Sequence, residues 1–294
     1  MIAVLSGSLV FAVIPSMMLC ETIGITFLKR NKKPGMMHLK AKHQKGATMD
    51  WPEVTILLCT YERQDELTRT IDALKDGLTY PADKLKWIIC DDSSPSNFAS
   101  RLARKVAYRD LNIQIVKTEK NSGWGRNVNG GLAAVETDLT FFIEDDYVLT
   151  QPLDLRIGVA LLMEKPFIGM LRYRGTAGEH IVLHQMEAHI ENWLPEYRDG
   201  IGLLGRLQYC LLDSGSPALC IYSHGAHLKR RAFHEFYGLY PEGLRLGATE
   251  EAYAHNVKNK MKEPNSPPIA ILPGWIINYF DHIGHSYQDT EMDK

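Results

Sequence analysis

The chain has 294 residues, room for one large domain or two closely joined halves, and its 45% hydrophobic and 23% charged content excludes a disordered protein. A net charge of -2 offers no general attraction to nucleic acid, whose binders carry a basic surplus or patch, so nucleic acid is not an expected partner. Five cysteines, at 20, 59, 90, 210 and 220, are odd in number and lack C-x-x-C spacing. Cys59 and Cys90 lie inside apolar runs, where a thiol behaves as a small hydrophobe. The set reads as reduced, pointing to a cytoplasmic catalytic region.

Residues 1–28 form a candidate membrane anchor. Ile2 to Cys20 is uncharged, and after Glu21 the apolar run resumes to Leu28, about the length a spanning helix needs. Pro15 and Glu21 interrupt it, and no positive residue precedes it as a cleaved signal peptide would require. Lys29, Arg30, Lys32 and Lys33 follow it, which places that flank in the cytoplasm. An interfacial or buried helix, or an extension ahead of a start at Met49, are the alternatives. Residues 29–50 read as a basic linker suited to a membrane surface.

Ordered elements then alternate. "EVTILLCTY" (53–61) has the near-continuous apolar character of a parallel strand covered on both faces, and residues 63–78 place Leu67, Ile71, Leu74 and Leu78 at helical spacing. Strands are expected at 85–92, 112–118 and 138–146, with helices at 97–110 and 125–136 between them. This strand–helix alternation implies βαβ units, and hence an α/β fold with a mostly parallel central sheet flanked by helices. The second half is less regular, its clearest helices falling at 227–239 and 249–261.

In open α/β sheets ligands sit beyond the carboxyl ends of the strands. Those ends carry Thr60-Tyr61-Glu62-Arg63, Asp91-Asp92-Ser93-Ser94 and Glu144-Asp145-Asp146. Three carboxylates behind the apolar "FFI" need a compensating cation, and hard divalent ions such as Mg²⁺ or Mn²⁺ take carboxylate oxygens together with substrate phosphates. The plain alternative is a solvated acidic loop. Asp91 and Asp92, in a turn-rich "DDSSPSN", can equally cap a helix starting near Asn97. Three histidines, His180, His184 and His189, share a probable helix but read as a solvated face. "GWGRNV" only half-matches a dinucleotide fingerprint, and no G-x-x-x-x-G-K-[ST] occurs, which excludes a P-loop hydrolase. Trp124, Trp193 and Trp275 are available to line an acceptor site, with core packing as the plain alternative.

Four stretches in order, "VTILLCTYERQDELTRTIDAL", "WIICDDSSPSN", "NSGWGRNVNGGLAAVETDLTFFIEDDYVL" and "SHGAHLKRRAFHEFYGLYPEGLRLGATEEAYAHNV", resemble family-2-type glycosyltransferases of GT-A fold, over roughly residues 53–285. The resemblance implies a Rossmann-like fold for nucleotide-diphospho-sugars. It implies a catalytic domain over 51–285, with a nucleotide-sugar half at 53–146, an acceptor half at 147–285 and a tail at 286–294. Thr60, Tyr61, Arg63, Asp91, Asp92, Arg126, Asn127 and Asp145 fall at donor-binding positions, with Glu62 where Asn is more usual. Asp146, Glu144 and His282 fall at metal-binding positions, Glu144 being a departure from the Asp-x-Asp pattern and His285 an alternative to His282. In Thr249-Glu250-Glu251 the last acid takes the place of the catalytic base, so Glu251 is expected, with Glu250 as alternative. The implied partners are a nucleotide-sugar, UDP-linked by the family's habit, and a glycan, lipid-linked or other hydroxyl acceptor, with inversion and a divalent metal. The rivals are a sugar-phosphate nucleotidyltransferase, which would want a Gly-rich basic loop where "CTYERQDE" stands, and a non-catalytic sugar- or nucleotide-binding relative.

Overall fold

The structure is a computed structural model that describes residues 50–173, 190–193, 207–272 and 279–284. The expected anchor, most of the linker, the tail, His285, His180, His184, His189 and Trp275 lie outside the described residues. No helix among the described residues is long and apolar enough to cross a membrane. Everything described belongs to one unit, Thr48–Lys294.

β1 (Val54–Thr60) is buried at every position, as its β-branched apolar run requires of a strand covered on both faces. It pairs in parallel with β3 (Leu85–Asp91) and β5 (Leu139–Glu144), and β3 pairs in parallel with β4 (Ile113–Lys117). The helices of this half are α1 (Gln64–Gly77), α2 (Phe98–Ala103) and α3 (Trp124–Ala134). The expected helix over 97–110 is instead short, breaking into a 3₁₀ turn at Val106–Leu111. α1 buries Leu67, Thr70, Ile71 and Leu74; Leu78 falls beyond it in β2 (Leu78–Thr79).

Beyond β5 the sheet becomes mixed. β11 (His227–Arg230) runs antiparallel to β5, and β8 (Met170–Arg172), β12 (Ile269–Ile271), β10 (Leu207–Leu212) and β9 (Ile190–Trp193) complete nine strands. The expected helix over 227–239 therefore starts as a strand. His227–Arg230 fills the open edge of β5, and only Arg231–Tyr237 is helical, as α6. α4 (Leu155–Glu164), α5 (Ala218–Ile221) and α7 (Leu246–Lys260) supply further cover. Two short ladders tie the edges, β6 (Tyr147–Leu149) with β13 (Phe280–His282), and β2 with β7 (Leu153–Asp154).

The two-residue period of the strands splits the core into two layers. Ile56, Leu58, Ile89, Phe141 and Ile143 pack with Leu67 and Ile71 of α1 and Val159 of α4 on one face. On the other, Leu57, Cys59, Cys90 and Phe142 meet Val128 of α3 and Tyr253 of α7. Gly131 lets α3 lie close on the sheet, for a Cβ there would stand 2.0 Å from Cys90 Sγ. Cys59, Cys90 and Cys210 are buried free thiols.

Candidate active site

Strand register assembles the site. Thr60 pairs with Asp91 and Cys59 with Glu144, so the three polar strand ends reach one edge at the same level. The turns that leave the strands need unusual backbone: Glu62 has φ 56° and Ser93 φ 63°. The first explains why asparagine, which tolerates the left-handed region, suits the place of Glu62. The Glu62 amide donates to Ser94 Oγ at 3.0 Å, and the Asp92 amide to the Thr60 carbonyl at 3.1 Å, which knits the first two turns together.

The two adjacent aspartates are used differently. Asp92 accepts from Thr118 Oγ1 at 2.8 Å, the Ser122 amide at 2.9 Å and the Gly123 amide at 2.8 Å, so it organises the loop entering α3. Asp91 is 1% exposed; its Oδ1 accepts from the Ser94 amide, whereas Oδ2 has no hydrogen-bond partner and only Lys117 Nζ at 3.9 Å. Neither caps α2, whose N-cap Asn97 makes no side-chain cap bond. Asn127 is buried and donates to the Cys90 carbonyl at 3.2 Å, bracing the end of β3, while Arg126 and Tyr61 are exposed.

The acidic knot divides. α1 holds its turn, Thr70 Oγ1 donating to the Asp145 carbonyl at 2.7 Å. Asp145 and Asp146 are each 5% exposed and share the Arg63 guanidinium, which pairs with Asp146 Oδ2 and lies 3.6 Å from Asp145 Oδ1. Burial pushes the Asp145 carboxyl up to about 7, against the pull of Thr60 and Arg63. His282, brought in by the β13–β6 pairing, sets its Nε2 3.3 Å from Asp146 Oδ2. Gly284 permits that approach, since a Cβ there would lie 2.1 Å from the same oxygen.

Glu144 does not join them. Its Oε1 accepts the Trp124 indole N–H at 2.9 Å and lies 3.7 Å from His224 Nδ1. Burial, with the charges of Asp146 and Glu250, pushes its carboxyl well above the usual range. The His224 ring stacks on Trp124, centroids 3.6 Å apart and planes 12° from parallel, and burial holds it well below the usual imidazole range, hence neutral. The His224 amide donates to Glu250 Oε1 at 2.8 Å, which draws the start of α7 to this edge. Glu251, one residue on, is exposed.

Among the described residues no three His, Cys, Asp or Glu side chains converge as a ready-made metal cluster. The donor set nevertheless fits a hard divalent ion. Asp145 Oδ2 and Asp146 Oδ1 are buried carboxylate oxygens with no partner, His282 stands beside them, and Mg²⁺-type sites take only one or two carboxylates besides phosphates and water. A cavity of about 230 Å³ lies elsewhere, lined by Leu132, Thr140, Lys229 and His234, and no expected site residue lines it.

Of the three tryptophans available to line an acceptor site, Trp124 lies at the edge, against Glu144 and His224. The side chain of Trp193 and all of Trp275 lie outside the described residues. His224 is visible only in the structure: "SHGAHLKR" belongs to the resemblance, but one histidine among eleven carries no local signal.

Comparison with known proteins agrees with the fold. S. aureus TarS 1–349, solved in complex with UDP-GlcNAc, superposes with a TM-score of 0.58 at 16% identity, over 80% of this chain and 60% of that one. The mannosyltransferase PcManGT from Pyrobaculum calidifontis, solved in complex with GDP-Man and Mn²⁺, gives 0.50 at 15% identity, over 75% of this chain and 56% of that one. At such identities the likeness shows the fold, a GT-A arrangement. The curated proteins "Putative cellulose synthase 2" and "Putative cellulose synthase 3" of Komagataeibacter xylinus are 25% identical over 127 residues, which is 42% of this chain and 8% of theirs. The sequence profile of glycosyl transferase family 2 matches residues 55–230, more than half of the chain, and the chain belongs to that family.

Proposed function

We propose that this chain transfers a sugar from a nucleotide-diphospho-sugar, UDP-linked, to an acceptor hydroxyl by a single displacement that inverts the anomeric centre. The observation that carries the reading is the convergence of Asp91, Asp146 and Glu250 on one sheet edge, with Asp91 and Asp146 each keeping a buried carboxylate oxygen unsatisfied by the protein. Asp91 Oδ2, buried and without a hydrogen-bond partner, suits the imide N–H of a uracil ring, with Lys117 Nζ 3.9 Å away. Asp92 shapes the loop at the base, and Asn127 holds β3 beneath it. Arg63 offers a cation to phosphate oxygens.

Asp146 and His282 would hold a divalent ion, Mn²⁺ or Mg²⁺, with Asp145 beside them; Glu144, turned to Trp124, is outside that set. Such an ion supplies positive charge where the departing diphosphate becomes more negative. Glu251 takes the acceptor proton. Its carboxylate is exposed, whereas Glu250 is tied to the His224 amide. As the hydroxyl gives its proton to Glu251, its oxygen bonds to the anomeric carbon. The bond from that carbon to the diphosphate breaks, the diphosphate leaving with the electron pair. The acceptor belongs to the broad class of glycan or lipid-linked hydroxyls.

The test is donor screening. The protein is incubated with UDP-, GDP- and dTDP-sugars plus Mn²⁺ and an acceptor panel, and released nucleotide is measured beside Asp146→Ala and Glu251→Gln. Turnover confined to a UDP-sugar and crippled in both variants is expected. Turnover unchanged by Asp146→Ala would remove the edge from the chemistry.

A further inference from the structure

Lys229 is the odd residue of the core. It lies on β11, is 1% exposed, and has no carboxylate partner among the described residues. A buried ammonium without an anion is costly, and an apolar side chain of similar size would be the more stable choice, so stability does not explain a lysine here. Its Nζ donates to Tyr240 Oη at 3.1 Å and stands over the rings of Phe142 and Tyr240, 5.0 Å and 5.4 Å from their centroids. The Tyr240 hydroxyl also shares a hydrogen bond with that of Tyr222.

Tyr240 connects this interior chain to the edge. Asn129 on α3 grips its backbone on both sides, accepting from its amide at 3.1 Å and donating to its carbonyl at 2.9 Å. The Tyr240 ring meets Trp124 edge-on with centroids 4.9 Å apart, and meets His224 likewise at 6.2 Å. Trp124 in turn holds Glu144 by its indole N–H, and His224, whose ring completes the stack, holds Glu250 by its backbone amide. Two hydroxyls and an amine thus stop the Tyr240 ring from turning or sliding, and that ring is the wall behind the Trp124–His224 stack.

We propose that Lys229, Tyr240 and Tyr222 are positioning residues for the transfer, a hydrogen-bonded chain that fixes the Trp124–His224 stack and, through it, the carboxyl groups of Glu144 and Glu250 where an acceptor meets the donor. The inference rests on the reading of that edge as the transfer site. Its effect falls on the chemical step, because the nucleotide-side groups Thr60, Asp91 and Asp92 have their own braces in the loop before α3.

The test uses Tyr240→Phe, which removes one oxygen and keeps the ring, with Lys229→Met, Lys229→Arg and the Phe/Met double variant. Each single removal is expected to lower kcat about tenfold while donor KM stays within about twofold, since small misplacements act on the transition state. The double variant should be no worse than the poorer single one, because both break one chain. Lys229→Arg, which keeps a donor, should restore part of kcat. The indole N–H resonance of Trp124 should shift in Tyr240→Phe and Lys229→Met alike. An unmoved Trp124 resonance, additive losses, or unchanged kcat in Tyr240→Phe each overturns the proposal. If the wild-type protein transfers no sugar at all, the reading of the edge fails instead, and the Trp124 resonance alone decides what Lys229 holds.

Discussion

Trp124 gives its indole N–H to Oε1 of Glu144 at 2.9 Å, so the first acid of the knot faces an aromatic stack while the third faces Arg63 and His282. That hydrogen bond favours the charged form of Glu144 against burial. Trp124→Phe should therefore raise the Glu144 carboxyl further, visible in its side-chain carbon titration, and cost about 1–2 kcal/mol of stability by leaving a buried acceptor unsatisfied. A Glu144 titration that moves down instead would show that the carboxyl has another donor.

Divalent-ion affinity separates the acids without any need for turnover. By electron paramagnetic resonance, Asp146→Ala should bind Mn²⁺ too weakly to detect, and His282→Ala at least about tenfold more weakly than wild type. Glu144→Gln should bind as wild type does, because its carboxyl is engaged with Trp124. Loss of Mn²⁺ binding in Glu144→Gln would place that acid back at the ion.

The neighbouring glutamates should part in kinetics. Glu251→Gln is expected to lower kcat about 10²–10⁴-fold with donor KM little changed, as removal of a general base does. Glu250→Gln keeps an oxygen to accept from the His224 amide and should lose far less. The reverse ranking would make Glu250 the base.

Lys229 gives stability a pH dependence of known sign. Burial brings its ammonium down to about 7, whereas the unfolded chain binds the proton up to about 10.4. Between those values the unfolded state holds the extra proton. Wild-type stability therefore gains up to about 1.4 kcal/mol per pH unit from this group as pH rises, the penalty being complete below about 7 and gone above about 10.4. Lys229→Met lacks this contribution. In urea titrations its stability relative to wild type should be greatest near pH 7 and shrink steadily towards pH 10. A constant difference would mean that Lys229 stays charged in the fold.

Gly131 tests the packing beneath the site. Alanine there must displace Cys90 Sγ and Leu57, at 2.0 Å and 2.9 Å from the new Cβ, and should cost about 1–3 kcal/mol in chemical denaturation. Cys90→Ala in the same chain should recover part of that loss by making room.

The strand–helix alternation of residues 54–144 and the clustering of Thr60, Asp91 and Glu144–Asp146 at strand ends were legible in the chain, because apolar period and strand termini are local properties. Locally the two glutamates of "TEE" look alike, as do the acids of "EDD" and the aspartates of "DDSS". What separates them is a partner far away in sequence: Arg63 for Asp146, Trp124 for Glu144, His224 for Glu250 and the loop before α3 for Asp92. The strand at His227–Arg230 was hidden for the same reason. Its residues allow a helix, and the open edge of β5 makes them a strand.

Composition and periodicity thus determined the parallel half of the sheet and the edge at which polar groups gather, since each strand carries its own pattern. Only the tertiary structure decided which acid is left unsatisfied, which is tied down and why a lysine lies in the core. Those outcomes depend on strand register and on side chains that meet across long stretches of chain, and no local pattern encodes such meetings.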